Sequence, residues 1–371
     1  MGNWRNGELG NFITLKRGFD LPQQKREDGQ VPIFSSSGIT GTHSTAMVNA
    51  PGVITGRYGT IGEVFYAAED FWPLNTTLFV EDFHGNDAEF IYYFLKTLEW
   101  SKFTSASAVP GINRNTVHKE TVSLPDIETQ RRIASTLSML DEKIKTNTEI
   151  NDNLEQQAQS YFQELFVDNA DPEWAIGTIS DLGTVVGGST PSKAKPEYYT
   201  ESGIAWITPK DLSINKSKFV SHGENDITEL GLKNSSAAIM PEGTVLFSSR
   251  APIGYIAIAA GEVTTNQGFK SVVPKPETGT PFVYFFLKNT LPVIEGMASG
   301  STFKEVSGST MKNVPAVIPD AETLAKFSDF CAPIFAQQRI LEEQNQSLAT
   351  LRDNLLPKLM SGEIDVSTVQ L

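Results

Sequence analysis

Two sets of polar side chains in this chain are suited to reading nucleobase edges. In the first half, Ser36 and Ser37 lie in Ser35-Ser36-Ser37-Gly38, and Arg57 and Tyr58 lie in Thr55-Gly56-Arg57-Tyr58-Gly59, with Asn75 further on. In the second half, Ser248 and Arg250 lie in Ser248-Ser249-Arg250-Ala251-Pro252, and Asn266, Gln267 and Lys270 lie in Asn266-Gln267-Gly268-Phe269-Lys270. Arginine bonds bidentately to guanine, and asparagine or glutamine to adenine. Lys16, Arg17, Arg114, Lys210 and Lys304 are candidates for phosphate contacts, which position a protein without reading sequence. Singly, each is a residue that solvated loops carry, and matched glycines also arise where a fold needs their backbone freedom. The recurrence of Arg57 as Arg250, and of Asn75 as Asn266, favours binding.

Catalytic constellations do not assemble. Asp171-Pro172-Glu173-Trp174 approaches the Asn/Asp-Pro-Pro-aromatic loop of DNA adenine methyltransferases, but Glu173 stands where the second proline belongs, and the segment reads as a linker. No Gly-Lys-Ser/Thr is present, so there is no phosphate-binding P-loop. Pro319-Asp320 with Glu322 and Lys326 has the wrong spacing for a nuclease site and reads as a helix N-cap. His43, His84, His118 and His222 show no metal-ligand spacing. The single cysteine, Cys331, forms no intramolecular disulfide and reads as core packing. The chain is therefore expected not to be an enzyme and to hold no cofactor or metal.

The elements that must position these residues come in a repeat. Phe90-Ile91-Tyr92-Tyr93-Phe94-Leu95-Lys96 returns as Phe282-Val283-Tyr284-Phe285-Phe286-Leu287-Lys288, and Pro125-Asp126-Ile127-Glu128-Thr129 as Pro319-Asp320-Ala321-Glu322-Thr323, 192 and 194 residues downstream. A solenoid period is roughly 20–50 residues, so each unit is a domain plus a helix. Residues 1–127 are rich in Gly, Ser and Thr, with short β-type runs and one helix near residues 89–100. Residues 128–168 lose Gly and Pro and space Ile133, Leu137, Leu140 and Ile144, then Leu154, Tyr161 and Leu165, along one helical face. Asn147, Asn151 and Asn153 give that helix a polar centre. Residues 169–319 repeat the first domain with an insertion of roughly 20 residues near residues 215–235, a size within ordinary domain anatomy. Residues 320–371 hold the second helix, with Ile334, Leu341, Leu348, Leu355 and Leu359 on its apolar stripe and Pro333 expected to kink or restart it. The fold class is α+β: two similar mixed α/β domains separated by two long helices forming an antiparallel coiled coil, in a pseudo-twofold repeat. The alternative is that each helix packs only on its own domain.

At 371 residues the chain is long enough for two or three domains. Its N-terminus, Met1-Gly2-Asn3-Trp4-Arg5-Asn6, lacks the apolar run of a secretory signal, and Asn6 breaks the myristoylation pattern. No apolar stretch approaches the roughly 20 residues that span a bilayer, so a cytoplasmic protein without a membrane partner is expected. The net charge of −14 is uneven: residues 128–168 and 320–371 together carry −8, leaving −4 and −2 on the two domains. Clustered Lys and Arg drive counterion release, so weak binding to bare DNA by this chain alone is expected.

Over nearly its whole length the chain resembles the specificity (S) subunit of Type I restriction–modification enzymes. Pro125-Asp126-Ile127-Glu128-Thr129-Gln130-Arg131-Arg132-Ile133-Ala134 resembles the start of that family's first conserved helix, and Leu355-Leu356-Pro357-Lys358-Leu359-Met360-Ser361-Gly362-Glu363-Ile364 the end of its second. Ile204-Ala205-Trp206-Ile207-Thr208-Pro209-Lys210-Asp211-Leu212 and Thr265-Asn266-Gln267-Gly268-Phe269 resemble phrases of its target recognition domains. The resemblance implies a non-catalytic DNA reader with target recognition domains at residues 1–127 and 169–319, each reading half of a split, asymmetric site in double-stranded DNA. It implies spacer helices at residues 128–168 and 320–371 that set the gap and dock two modification (methyltransferase) subunits through the apolar stripe named above. Motor-nuclease restriction subunits would join them, with S-adenosylmethionine, ATP and Mg on those partners. Two further readings stand beside it: a coiled-coil adaptor for two protein or glycan partners, and a stand-alone enzyme of unrecognised type.

Overall fold

The computed structural model describes residues 3–104, 110–300 and 304–369. Met1 and Gly2, on which the myristoylation reading falls, lie outside the described residues. The chain divides into two compact units, residues 1–145 with 346–371, and residues 146–345. Both boundaries fall inside long helices rather than at the domain ends expected from composition.

In the first unit, a four-stranded antiparallel sheet runs in the order Thr14–Arg17, Thr77–Asp82, Gly52–Gly56, Val64–Ala67. Gly52–Gly56 is buried at every position, as expected of a strand covered on both faces. A second sheet orders Gly38–His43, Val31–Ser35 and Trp72–Pro73, the last pair parallel. Helix Ala88–Lys96 begins where the Asp87 side chain accepts the Phe90 N–H at 2.9 Å. Its residues Phe90, Ile91, Tyr93, Phe94 and Leu95 are buried in one core with Leu15, Val53 and Leu78.

The second unit repeats this plan. Gly183–Gly187, Lys270–Pro274, Val245–Ser249 and Ile253–Ala259 form the matching sheet, and Phe219–Val220 adds a fifth strand parallel to the last. Tyr199–Thr200, Asn225–Ile227, Ile204–Ile207 and Thr264–Thr265 form the second sheet, whose last pair is again parallel. Ring stacking repeats too: Phe90 and Phe94 lie 6.2 Å apart, Phe282 and Phe286 6.0 Å. Where Ser36 and Ser37 alone join two paired strands in the first unit, residues 208–224 do so in the second. That insertion, with helix Pro209–Ile214 and strand Phe219–Val220, begins earlier than the expected residue 215.

Helices Ile127–Gln163 and Ala321–Met360 are long and continuous. Pro333 neither ends nor restarts the second. It sits at an exposed position, where water can take the carbonyl that loses its partner. Within the second unit the helices run antiparallel, Asn151 against Gln338 and Asn147 against Asn345. Within the first, Asp141 meets Arg352 at 2.6 Å, and Ile133 and Leu137 share a core with Leu359.

The apolar stripe assigned to partner subunits is corrected by this packing. Ile133, Leu137, Leu140, Ile334, Leu341 and Leu359 are buried, and Leu154, Tyr161, Leu165 and Leu355 pack on the two cores. Ile144 and Leu348 are half-buried. Helix pairing and domain packing take up most of the stripe. The helical apolar residues facing outward are others, among them Met139, Ile150, Ile340 and Leu351, each at least 41% exposed. Among the described residues no helix is long and apolar enough to cross a membrane.

Candidate nucleic-acid interface

Each unit gathers most of its candidate side chains into one cleft. In the first, Lys16, Arg17, Arg57, Tyr58 and Arg114 line a common cleft. Arg57 leaves the end of strand Gly52–Gly56, where its N–H donates to Thr76 O at 2.8 Å and its own carbonyl accepts from Ile112 N–H at 3.0 Å. Its guanidinium lies 4.5 Å from the Tyr58 ring centroid. Gly111 is required beneath that ring, since a Cβ there would come within 2.2 Å of it. Lys16 pairs with Glu81, and Arg17 lies 3.8 Å from Asp20. Arg114 opens a short helix capped by Asn113 and is exposed. Behind it, His118 Nε2 accepts the Leu15 N–H at 2.9 Å, and burial with the nearby Arg114 charge holds its pKa below the usual histidine range.

In the second unit, Lys210, Arg250, Asn266 and Gln267 line a cleft with Thr190, Lys193 and Asn225. Thr208 and Asp211 form a capping box, with Thr208 Oγ1 donating to Asp211 Oδ2 at 2.6 Å. Asp211 Oδ1 also accepts the Glu224 N–H at 2.8 Å, and Glu224 holds Lys210 at 2.6 Å. That pairing raises the Lys210 pKa. Arg250 contacts Glu305 at 3.3 Å and borders a second hollow that contains Lys304. The ion pairs of Lys16, Arg17, Lys210 and Arg250 are exposed or half-exposed and so weak in water, and a phosphate can displace the carboxylate.

Three candidates serve the fold instead. Ser248 is fully buried, donating to Pro252 O at 2.8 Å and accepting the Tyr255 N–H at 2.7 Å. Lys270 is largely covered, its ammonium donating to the carbonyls of Gln267 and Phe269, and burial lowers its pKa. Asn266 spends Oδ1 on the Gly268 N–H at 2.8 Å. Ser37 is exposed, and Ser36 flanks the Arg57 loop, its Oγ 3.2 Å from where a Cβ on Gly59 would stand.

Backbone hydrogen bonds also correct the matching of the two halves by one residue. Arg57 and Ser249 make the same two contacts, N–H to Thr76 O and Gly268 O, carbonyl from Ile112 and Val306. Leu74 and Asn266 likewise occupy one place, donating to Phe34 O and Ile207 O. Arg250 therefore stands where Tyr58 stands, and Asn75 corresponds to Gln267. The side chains agree: Asn75 bonds Asp20, and Gln267 bonds Thr190. Residues missed from the sequence include Asn113 and Asn115, which line the first cleft, and Thr190, Lys193 and Asn225, which line the second. Only the Thr208-x-x-Asp211 box beside them carried a readable pattern.

The histidines are bound up locally: His43 accepts the Glu27 N–H, His84 meets Thr14, and His222 lies 3.5 Å from Asp226. No group of three or more His, Cys, Asp or Glu suited to a metal occurs among the described residues.

The sequence model of one family, the Type I restriction modification DNA specificity domain, matches residues 1–156 and 172–351. The MjaIX Type I restriction enzyme specificity subunit of Methanocaldococcus jannaschii is 39% identical over 194 residues, a match covering 50% of this chain and 45% of that protein. The HindI specificity subunit of Haemophilus influenzae is 25% identical over 357 residues, covering 74% and 77%. The fold is that of the crystal structure of a Type-I restriction-modification system S subunit from M. genitalium, with TM-score 0.67, 18% identity, and 97% and 96% of the two chains covered.

Proposed function

Because the chain belongs to the Type I restriction modification DNA specificity domain family, we propose that it selects the DNA sequence on which a Type I restriction–modification complex acts. It is a non-catalytic specificity component. The observation that carries the finer reading is the pair of polar clefts, built on equivalent strand ends and holding different side chains. Each reads one half of a bipartite, asymmetric site. Arg57, Tyr58 and Asn75 reach base edges from residues 1–127, with Ser36 and Ser37 beside them, and Arg250 and Gln267 do so from residues 169–319. Lys16, Arg17, Arg114, Lys210 and Lys304 meet phosphates.

The long helices of residues 128–168 and 320–371 set the unread gap and carry two modification subunits, which dock on outward residues such as Met139 and Leu351. S-adenosylmethionine belongs to those subunits, and ATP and Mg to motor-nuclease subunits, in the cytoplasm. The acidic balance of the chain fits DNA binding by the assembled complex rather than by this subunit alone.

Co-expression with the neighbouring genes, followed by methylome sequencing, tests the reading. Exchanging residues 1–127 for another recognition domain changes one half-site and leaves the other. An unchanged motif, or loss of both halves, refutes it.

A further inference from the structure

In the second unit an ammonium group fills a cleft between the domain and the long helices. Lys218 Nζ lies 3.5 Å from the Phe335 ring centroid and 4.5 Å from that of Tyr284. It donates to Glu155 Oε2 at 2.7 Å and Gln338 Oε1 at 2.9 Å. The inserted strand Phe219–Val220 delivers it, running parallel to Ile253–Ala259, whose Ile258 N–H donates to Lys218 O at 2.7 Å.

The first unit has the same cleft without the strand or the cation. Val64–Ala67 corresponds to Ile253–Ala259, but it is the edge of its sheet among the described residues. Tyr92 and Tyr93 correspond to Tyr284 and Phe285, and Asp141 to Phe335. The cleft is lined by Tyr66, Tyr92, Tyr93, Glu89, Asp141 and Glu142. The Tyr92 ring lies 5.8 Å from Tyr66 and 4.8 Å from Tyr93. Lys96 rests 5.0 Å over Tyr92 as Lys288 rests 5.2 Å over Tyr284, so Lys96 fills the place of Lys288 and leaves that of Lys218 open. Arg352 engages Asp141, and Lys145 also lines the cleft. Even so, burial first, and then the charges of Asp87, Glu142 and Asp141, hold the Glu89 carboxyl above its usual range. Ile39, 63% exposed, and Tyr66, 36% exposed, leave apolar surface at the mouth.

We propose that this cleft is the docking site for an extended, basic segment of a protein partner, which adds a strand to the free edge of Val64–Ala67 and sets a Lys or Arg side chain among Tyr66, Tyr92 and Glu89. The inference rests on the reading that modification subunits bind this chain, and it assigns one of them as the occupant. Strand addition supplies main-chain hydrogen bonds, the tyrosine faces attract the cation, and a bare sheet edge is covered. The carboxylates repel phosphate, which disfavours DNA in the same place. The second unit carries its own plug, so only the first takes the partner's segment in this way.

The test is amide exchange on the full chain, free, with the modification subunit, and with a DNA duplex alone. Protection over residues 64–68 is expected with the modification subunit only. Glu89→Arg should weaken that complex about tenfold while leaving the melting temperature of the chain unchanged. If Glu89→Arg does not fold, Glu142→Arg at an exposed position gives the same reading. A complex that forms without protection at residues 64–68, protection by DNA alone, or variants that bind like the parent each overturn the inference and leave the proposed function standing. Failure of any complex to form overturns both.

Discussion

Asn147 of the first long helix donates its Nδ2 to Asn345 Oδ1 of the second at 2.9 Å, while Asn147 itself is fully buried. Its own Oδ1 has no hydrogen-bond partner among the described residues. A buried amide between paired helices fixes register at a cost in stability. Asn147→Leu paired with Asn345→Leu is therefore expected to stabilise the fold by about 1–4 kcal/mol, by analogy with buried polar groups replaced by apolar ones. Urea unfolding measures it, and a lower midpoint would show that the amides hold the helices together rather than merely aligning them.

Lys218 ties the inserted strand to both long helices. Its side chain is 7% exposed and its partner Glu155 22% exposed, while Glu342 accepts the backbone N–H groups of Lys218 and Phe219 at 2.8 and 3.0 Å. Removing one member of a buried pair costs about 3–5 kcal/mol because the other charge is stranded. Lys288 also reaches Glu155, so Lys218→Met should cost about 3 kcal/mol, the lower end of that range. Adding Glu155→Leu should recover part of the loss. A cost below about 1 kcal/mol, the level of an exposed pair, would mean that the strand is held by its backbone alone.

Much of this architecture was legible in the sequence, because the repeat carries it. The recurrence of Phe90 to Lys96 as Phe282 to Lys288 marks equivalent helices with the same ring stacking. The Asn-rich centre of residues 147–153 marks the polar layer between the long helices. Three things were hidden. Pairing Arg57 with Arg250 by type missed their structural register, because the loops differ in length and only backbone hydrogen bonds fix which positions are equivalent. Ser248 looked like a reader because a buried serine and an exposed one share the same letter. The resemblance assigned the helix stripe to partner subunits, whereas periodicity gives an apolar face without saying what covers it.

Alanine substitution separates base contacts from phosphate contacts. Arg57→Ala and Arg250→Ala each remove a proposed direct reader and should cost about 1–3 kcal/mol while relaxing one position of one half-site. Arg114→Ala and Lys210→Ala should weaken binding on all sequences and lower the salt slope by about one unit. Binding by the assembled complex to a randomised duplex library, at two salt concentrations, separates the outcomes. Uniform weakening by Arg57→Ala would move that residue to the phosphate class.

His118 sets a pH limit on the first cleft. Its Nε2 accepts the Leu15 N–H, so the folded form needs the neutral ring. Burial and the Arg114 charge hold its folded pKa below the unfolded value of about 6.5. The unfolded chain therefore takes up the proton first. The stabilisation is complete above about pH 6.5 and is lost as pH falls from there through the folded pKa. Thermal melting between pH 7.5 and 5, values chosen to bracket that window, should show a decline that His118→Gln flattens. An equal decline in the variant would assign the effect to carboxylates elsewhere.

The chain passes from one compact unit to the other twice, at residues 145–146 and 345–346, each time inside a long helix. A spacer change made in one helix alone would slide Asn151 past Gln338 and break the polar layer. Lengthening must therefore be matched, with one helical turn inserted after Lys145 and one after Asn345. Each turn adds about 5.4 Å, against about 3.4 Å per DNA base pair. The unread gap between half-sites should grow by one or two base pairs per matched turn, with both half-sites kept. Methylome sequencing reads this directly. A single-helix insertion should instead lower stability and abolish modification. A matched insertion that keeps the original gap would show that the helices do not set it.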